Sequence, residues 1–228
     1  MPWCGCCWSS SSIAPGPSTP TIPTTVSERP DFIYLASQSP RRRQLLDQLG
    51  IRHELLLPDA HEDAEGIEAV LPGEAPARYV QRVTGLKLDA AVQRLARRGL
   101  PPAPILCADT TVARGRTIYG KPVDEADARR MLRELAGATH RVLTAVALQA
   151  GRRRLAALSD SRVRFAPMTA RQVADYVATG EPMGKAGAYA VQGRAAAYIA
   201  HISGSYSGIM GLPMHETAHL LRAIGHRV

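Results

Sequence analysis

Residues 33–50 join an apolar run to a helical repeat, and this pairing constrains the fold more than any other segment. The run from Ile33 to Ala36 is typical of a short buried strand. Ser39 suits a helix N-cap and Pro40 suits the first helical position, where a missing N–H costs nothing. Leucines then recur at helical spacing until a glycine, a residue that commonly ends helices. The segment predicts a strand, a tight turn and a helix, the repeating unit of α/β proteins.

The same alternation of strand and helix patterns continues to the C-terminus. Further strands are predicted at His53–Leu57, Ile105–Ala108, Arg141–Leu148, Leu155–Phe165 and Ala197–Ile202. Further helices are predicted at about 74–97, 125–136, 169–180 and 213–225, with Asp124 and Thr169 as the N-caps of the second and third. A turn at Ala150–Gly151 makes one pair of strands an antiparallel hairpin. We therefore predict a mixed α/β fold, an elongated sheet flanked by helices.

Three consecutive arginines begin the first predicted helix, where positive charge opposes the helix macrodipole. Free N–H groups at a helix N-terminus and guanidinium groups together bind anions well, so Arg41 and Arg42 are predicted to hold a phosphate. The alternative is that they are solvated surface charges. The formal net charge of +8 also favours an anionic partner, either nucleic acid or a phosphorylated small molecule.

Residues 1–30 differ in composition from the rest, because they are rich in Ser, Thr and Pro without a hydrophobic period. We predict a disordered leader at 1–30 and one domain at 31–228. The leader lacks the basic and apolar regions of a secretory signal, and no apolar run has the length of a membrane span. A cytoplasmic protein without membrane contact is expected.

Carboxylates and lysines in several segments suit phosphoryl chemistry. Asp109 follows an apolar strand, a position where open α/β sheets bind ligands, although such an aspartate is also a common turn residue. Lys121 and Lys185 lie beside glycines that let a phosphate approach closely. Lys87 borders the apolar face of the long helix, where snorkelling explains it equally well. An acidic loop at 59–68 offers Asp59, Glu62, Asp63 and Glu65, any of which could join Asp109 around a divalent cation, although such loops are usually only solvated.

Five segments resemble, in order, those of one enzyme family. They are LASQSPRRRQLL, CADTTV, GKPVDEADARRMLRELAGATHRV, YVATGEPMGKAGAYAVQG and GSYSGIMGLPMHET. In combination they are similar to the Maf family of nucleoside triphosphate pyrophosphatases, from about Ile33 to the C-terminus. The resemblance implies a fold of the Maf and inosine-triphosphatase type with a central nucleotide-binding cleft, commonly found as a homodimer. It also implies metal-dependent cleavage of a nucleoside triphosphate between its α and β phosphates.

The resemblance further assigns roles to single residues. Asp109 matches the family's catalytic acid or base, and it is expected to hold a divalent cation together with Glu62. Mg²⁺ is the expected cation and Mn²⁺ the alternative. The predicted substrate-binding residues are Ser37, Ser39, Arg41, Arg42, Lys87, Thr110, Lys121, Lys185 and Gln192. Positions tied to base selection are matched by Arg41, Thr110 and Gln192. Positions around the phosphates are matched by Arg42, Lys87, Lys121 and Lys185.

Within the family, the SPRR, ADT and KAGAYxxQG forms resemble the branch that acts on dTTP and UTP. The expected function is hydrolysis of these nucleotides, with removal of modified pyrimidine nucleotides as its purpose. One alternative is the branch that acts on 7-methyl-GTP, which departs at these three motifs. Another is a nucleic-acid-binding regulator of cell division without catalysis. Nucleic acid is the less expected partner, because the basic residues are dispersed beside carboxylates without stacking aromatics.

Overall fold

The computed structural model of the chain describes Met1, residues 30–59, Glu62 and residues 64–228. The predicted leader therefore lies almost entirely outside the described residues. The described strands are β1 (Ile33–Leu35), β2 (His53–Leu55), β3 (Ile105–Arg114), β4 (Thr117–Tyr119), β5 (Thr139–Ala150), β6 (Arg153–Phe165) and β7 (Ile199–Ser203). The described helices are α1 (Pro40–Gln48), α2 (Ala64–Ile67), α3 (Pro76–Arg97), α4 (Glu125–Leu135), α5 (Ala170–Val177), α6 (Tyr206–Met210) and α7 (Met214–Ala223).

All seven described strands belong to one mixed sheet. Its order is β2-β1-β3-β5-β6-β7, and β4 also pairs with β3. β1 is parallel to β2 and β3, whereas β3, β5, β6 and β7 are successively antiparallel. The long β5–β6 ladder turns through Gly151 and Arg152, and the φ of +56° at Gly151 is one that glycine adopts without strain. The predicted mixed α/β sheet flanked by helices is confirmed.

Helices cover both faces of the sheet. Helix α3 packs on one face, where its Val80, Val83 and Leu88 are completely buried against β3 and β5. Helices α1 and α7 pack on the opposite face, and α4 and α5 cover the same face farther along. The burial of these apolar faces is the main force that holds the layers together. Among the described residues, no helix combines the length and the apolarity that a membrane span requires.

Strand β3 is longer than predicted, and this difference creates the cleft. The predicted strand ended at Ala108, but β3 continues to Arg114, so Asp109 lies within the strand rather than at its end. β1 pairs with β3 only as far as Leu106, and β4 pairs with it only from Val112 onward. On this side, residues 107–111 of β3 therefore have no strand neighbour among the described residues. The exposed edge leaves room for a ligand beside Asp109.

The start of α1 differs from the prediction in its capping. Ser39 occupies the N-cap position and Pro40 the first helical position, but the Ser39 side chain makes no capping hydrogen bond. Instead, the Ser39 N–H donates to Ser37 Oγ at 3.2 Å. The predicted caps of later helices are present, since Asp124 accepts from the Asp127 N–H at the start of α4. The Ser37 hydroxyl thus becomes part of the turn that leads into α1.

His140 is a buried histidine whose environment makes folding sensitive to pH. Its Nε2 lies 2.8 Å from the Tyr189 hydroxyl, and its Nδ1 has no partner in the described part of the chain. Burial, with a smaller contribution from Arg114, lowers its pKa to about 4. In an unfolded chain the pKa of histidine is about 6.5. Between these values the unfolded chain binds a proton that the folded chain does not.

We therefore expect the free energy of unfolding to be highest above about pH 6.5 and to fall as the pH drops toward 4, by up to ~1.4 kcal/mol per pH unit from this residue. Urea denaturation at several pH values across this range measures the slope of the unfolding free energy against pH. His140→Gln should flatten it, because glutamine does not titrate, whereas the exposed His219→Gln should leave it as it is. Equal slopes for wild type and His140→Gln would show that His140 does not control this pH dependence.

Candidate active site

A cleft of about 560 Å³ opens beside the unpaired edge of β3. It falls within the size range of small-molecule sites. Every residue that the sequence predicted for substrate or metal lines it: Ser37, Ser39, Arg41, Arg42, Glu62, Lys87, Asp109, Thr110, Lys121, Lys185 and Gln192. The structure therefore brings the predicted set together at one place, although the role of each residue stays a prediction.

Positive charge dominates the lining of the cleft. Seven cationic side chains face three carboxylates, which are Glu62, Glu68 and Asp109. The cationic side chains are Arg41, Arg42, Lys87, Arg94, Arg97, Lys121 and Lys185. This excess favours a ligand with several negative charges, because such a ligand neutralises cations that the protein itself leaves unpaired.

Arg42 connects three separate segments at the base of the cleft. Its Nε donates to the Gly211 carbonyl at 2.8 Å, its Nη1 to Ser37 Oγ at 3.0 Å and its Nη2 to Thr110 Oγ1 at 3.4 Å. Desolvation lowers its pKa, and the charge of Asp109 partly opposes this effect. Arg42 thus fixes the β1–α1 turn against β3 and against the loop between α6 and α7. Arg42 therefore has a framework role, which is to hold these segments together, in addition to the phosphate contact that the sequence predicts.

Among the described residues, Arg41 and Lys185 are the cations of the cleft that donate to main-chain carbonyls and to no side chain. Arg41 Nε donates to the Met210 carbonyl at 3.3 Å, and Lys185 Nζ donates to the carbonyls of Glu181 and Met183. Burial lowers the pKa of both side chains, and for Lys185 the charge of Arg41 adds to this effect. Neither cation forms an ion pair with a carboxylate within the described residues. Both are therefore placed to bind an anion that enters the cleft.

Asp109, Lys87 and Glu68 form the central charged group. Lys87 Nζ lies 2.5 Å from Asp109 Oδ1 and 2.7 Å from Glu68 Oε1. Lys121 Nζ lies 3.1 Å from Glu68 Oε2. Burial lowers the pKa of Lys87, but Asp109 and Glu68 more than offset it and raise the pKa above its ordinary value. Burial likewise pushes the pKa of Glu68 up, yet Lys87 and Lys121 hold it below its ordinary value. Lys87 and Glu68 are therefore both ionised at neutral pH.

Thr110 faces away from this group, because successive residues of a strand point to opposite faces of the sheet. Its Oγ1 accepts from Arg42 and lies 3.0 Å from Thr144 Oγ1, whose hydroxyl donates to the Gly208 carbonyl at 2.7 Å. Asp109 and Thr110 therefore lie on opposite faces of the sheet. Both still line the cleft, because the cleft opens at the edge of β3 that has no strand partner among the described residues.

Glu62, the predicted second metal ligand, is already paired with arginines. Arg94 forms two hydrogen bonds with its carboxylate, one of them from Nε at 2.9 Å, and Arg97 Nη2 donates to it at 2.7 Å. The bonds from Arg94 lower the pKa of Glu62 to about 2, against an opposing effect of burial. The carboxylate that shares a partner with Asp109 is Glu68. Ligation of metal by Glu62 stays a prediction, and the geometry favours Glu68.

Glu181, like Glu68, is an acidic residue that the sequence analysis did not single out. Its carboxylate accepts from the Tyr176 hydroxyl at 2.8 Å and from the Arg194 N–H at 3.0 Å. A Cβ added to Gly193 would collide with this carboxylate and displace it, so glycine leaves the carboxylate room to approach the turn. The turn that carries Gln192 is therefore anchored, while Gln192 itself stays exposed at the rim of the cleft.

The carboxylates of the cleft fit a divalent cation only in part. Among the described residues, no group of three or more His, Cys, Asp or Glu side chains is placed to hold a metal. Asp109 and Glu68 offer two carboxylates near each other, and carboxylate oxygens are the ligands that Mg²⁺ prefers in proteins. Mg²⁺ in phosphate-binding sites commonly uses one or two carboxylates with substrate phosphates and waters. The residues therefore fit a cation whose coordination the substrate completes.

Comparison with known proteins identifies the family to which the chain belongs. A family model described as Maf-like protein matches residues 32–224. A protein of Albidiferax ferrireducens named dTTP/UTP pyrophosphatase is 71% identical over 198 residues, which cover 87% of this chain and 99% of that protein. A protein of the same name from a Polaromonas species is also 71% identical, with 87% and 98% covered. A third, from Cupriavidus metallidurans, is 64% identical, with 85% and 97% covered. With matches of this extent and identity, the chain belongs to the Maf-like protein family.

Proposed function

We propose that this chain hydrolyses dTTP and UTP to the nucleoside monophosphate and pyrophosphate. The observation that carries the proposal is the convergence of the family's motifs on one cationic cleft around Asp109. The relatives named dTTP/UTP pyrophosphatase support the choice of substrate, because they match nearly over their whole length. A triphosphate is also the kind of ligand that a cleft with more cations than carboxylates can bind.

The side chains divide the work between holding the phosphates and activating water. Lys121, Lys185 and Arg41 would bind phosphate oxygens and stabilise the negative charge that grows on the leaving pyrophosphate. Asp109 would act as the general base and take a proton from a water molecule. The water oxygen forms a bond to the α-phosphorus, the bond from that phosphorus to the α–β bridging oxygen breaks, and its electron pair leaves with pyrophosphate. Hydrolysis in ¹⁸O water should then place the label in the monophosphate.

We propose Asp109 and Glu68 as the protein ligands of a divalent cation, Mg²⁺ or Mn²⁺. When bound, such a cation supplies Lewis-acid stabilisation of phosphate charge and lowers the pKa of bound water. Gln192 and Thr110 would discriminate the base through hydrogen bonds, since amide and hydroxyl groups both donate and accept them. The cytoplasmic homodimer that the family resemblance implies is part of the same proposal, and sedimentation equilibrium measures its subunit number.

The proposal is tested by pyrophosphate release from dTTP, UTP, CTP, GTP and 7-methyl-GTP, each with Mg²⁺ and with a chelator. We expect release from dTTP and UTP that requires the cation, with monophosphate as the other product. Activity on 7-methyl-GTP alone would keep the chemistry and contradict the specificity. No release from any nucleotide would contradict the enzymatic proposal and favour the alternative of a nucleic-acid-binding regulator.

A further inference from the structure

We propose that Lys87 holds the place of the divalent cation in the nucleotide-free protein, and that the triphosphate must draw Lys87 away before the cation binds. This inference rests on the proposed function, since it concerns the order of events at the same site. It assigns Lys87 a second role as an internal counter-ion, in addition to its predicted contact with phosphate.

The position of the Lys87 ammonium supports this role. Nζ lies between Asp109 Oδ1 and Glu68 Oε1, at 2.5 and 2.7 Å, in a partly buried group. A Mg²⁺ ion binds carboxylate oxygens at about 2.0–2.1 Å. An ion in contact with the same two oxygens would therefore overlap the ammonium or lie directly against it. The ammonium and the cation cannot occupy this place together.

The charge balance of the group leads to the same conclusion. The carboxylates of Asp109 and Glu68 are matched by the ammoniums of Lys87 and Lys121 in direct ion pairs. A cation that approaches this neutral group gains little attraction and meets a positive charge at short range. A triphosphate changes this balance, because its oxygens offer Lys87 and Lys121 new partners and leave the two carboxylates unpaired.

The lysine side chain has the freedom to make this exchange. Lys87 retains 23% of its side-chain exposure, on the cleft side of α3, and its flexible four-carbon stem can turn the ammonium from carboxylate to phosphate. Lys185 provides a natural comparison. It lines the same cleft, but it donates to main-chain carbonyls rather than to Asp109 or Glu68.

The experiment is to measure Mn²⁺ binding to the nucleotide-free protein by electron paramagnetic resonance, with Mn²⁺ alone as the probe. We expect weak binding by the wild type and binding tighter by about tenfold or more for Lys87→Met, because a nearby positive charge is removed. Lys185→Met should bind Mn²⁺ like the wild type. Unchanged affinity in Lys87→Met, or an equal gain in Lys185→Met, would overturn the proposal.

A second measurement covers the case in which Lys87→Met fails to fold, as judged by circular dichroism. The wild type is then compared with Lys87→Gln by the shift in melting temperature that millimolar Mn²⁺ produces, because a ligand of the folded state raises that temperature. A shift confined to the variant supports the proposal, and equal shifts overturn it. Neither readout requires turnover. Failure here with intact pyrophosphate release would remove only the role of Lys87, whereas failure of pyrophosphate release would remove the proposed function.

Discussion

Replacing Asp109 with Asn is expected to lower kcat on dTTP by on the order of 10³-fold, because positioned acid–base groups commonly contribute about 10² to 10⁴. Asparagine keeps the size of the side chain and an oxygen that can accept from Lys87, so the fold should stay intact. It has no basic carboxylate to take a proton from water. Steady-state pyrophosphate release measures the loss, and binding of a non-hydrolysable dTTP analogue should stay within a few-fold of wild type.

The matched control for this variant is Asp160→Asn. Asp160 also lies on a sheet strand and forms an ion pair, with Arg141, but that pair is exposed on β6 and lies outside the residues that line the cleft. Exposed ion pairs contribute little to stability, so we expect nearly normal activity and folding. Near-normal turnover by Asp109→Asn would contradict the assignment of Asp109 as the base. An equal loss in Asp160→Asn would point to a general effect of removing a strand carboxylate.

The sequence predicted the layout of this protein well wherever local patterns determine it. Periodic leucines and capping residues specify helices such as α4, whose predicted cap at Asp124 is present. The extent of β3 was not predictable in this way, since polar residues from Asp109 onward follow the apolar run, a pattern typical of a strand end. They continue the strand because β5 pairs with them on the other side, up to Ala113. Pairing between distant strands overrides the local signal here.

The sequence did not predict which acidic side chain lies beside Lys87 and Asp109 in the cleft. Glu62 and Glu68 lie in the same acidic loop, and a loop without periodic structure gives no information on which side chain points inward. The choice depends on helix α3, where Arg94 pairs with Glu62 and Lys87 pairs with Glu68. These contacts join residues that are distant in sequence, so only the packed structure reveals them.

Arg42→Lys is expected to lower the free energy of unfolding by about 2–4 kcal/mol, although the charge is kept. The guanidinium of Arg42 donates to Gly211, Ser37 and Thr110 at once, and a lysine ammonium cannot reach all three acceptors in this geometry. A hydrogen bond from a charged group contributes about 1.5–3 kcal/mol, and at least one partly buried acceptor loses its donor. Urea denaturation measures the loss. The m value, which is the slope of the unfolding free energy against urea concentration, should be the same for wild type and Arg42→Lys.

Arg41→Lys is the control variant that distinguishes the framework role of Arg42 from the effect of its charge. Arg41 starts the same helix and lines the same cleft, but within the described part of the chain it donates only to the Met210 carbonyl, at 3.3 Å. We therefore expect Arg41→Lys to lower the free energy of unfolding by less than about 1 kcal/mol. For Arg42→Lys we also expect kcat/KM on dTTP to fall about 10²-fold, since a small displacement of Thr110 and the loop at Gly211 misplaces the substrate. Equal stability of the two variants would show that the three-way contact of Arg42 does not hold these segments. A loss of stability without a loss of kcat/KM would show that the segments it joins do not position the nucleotide.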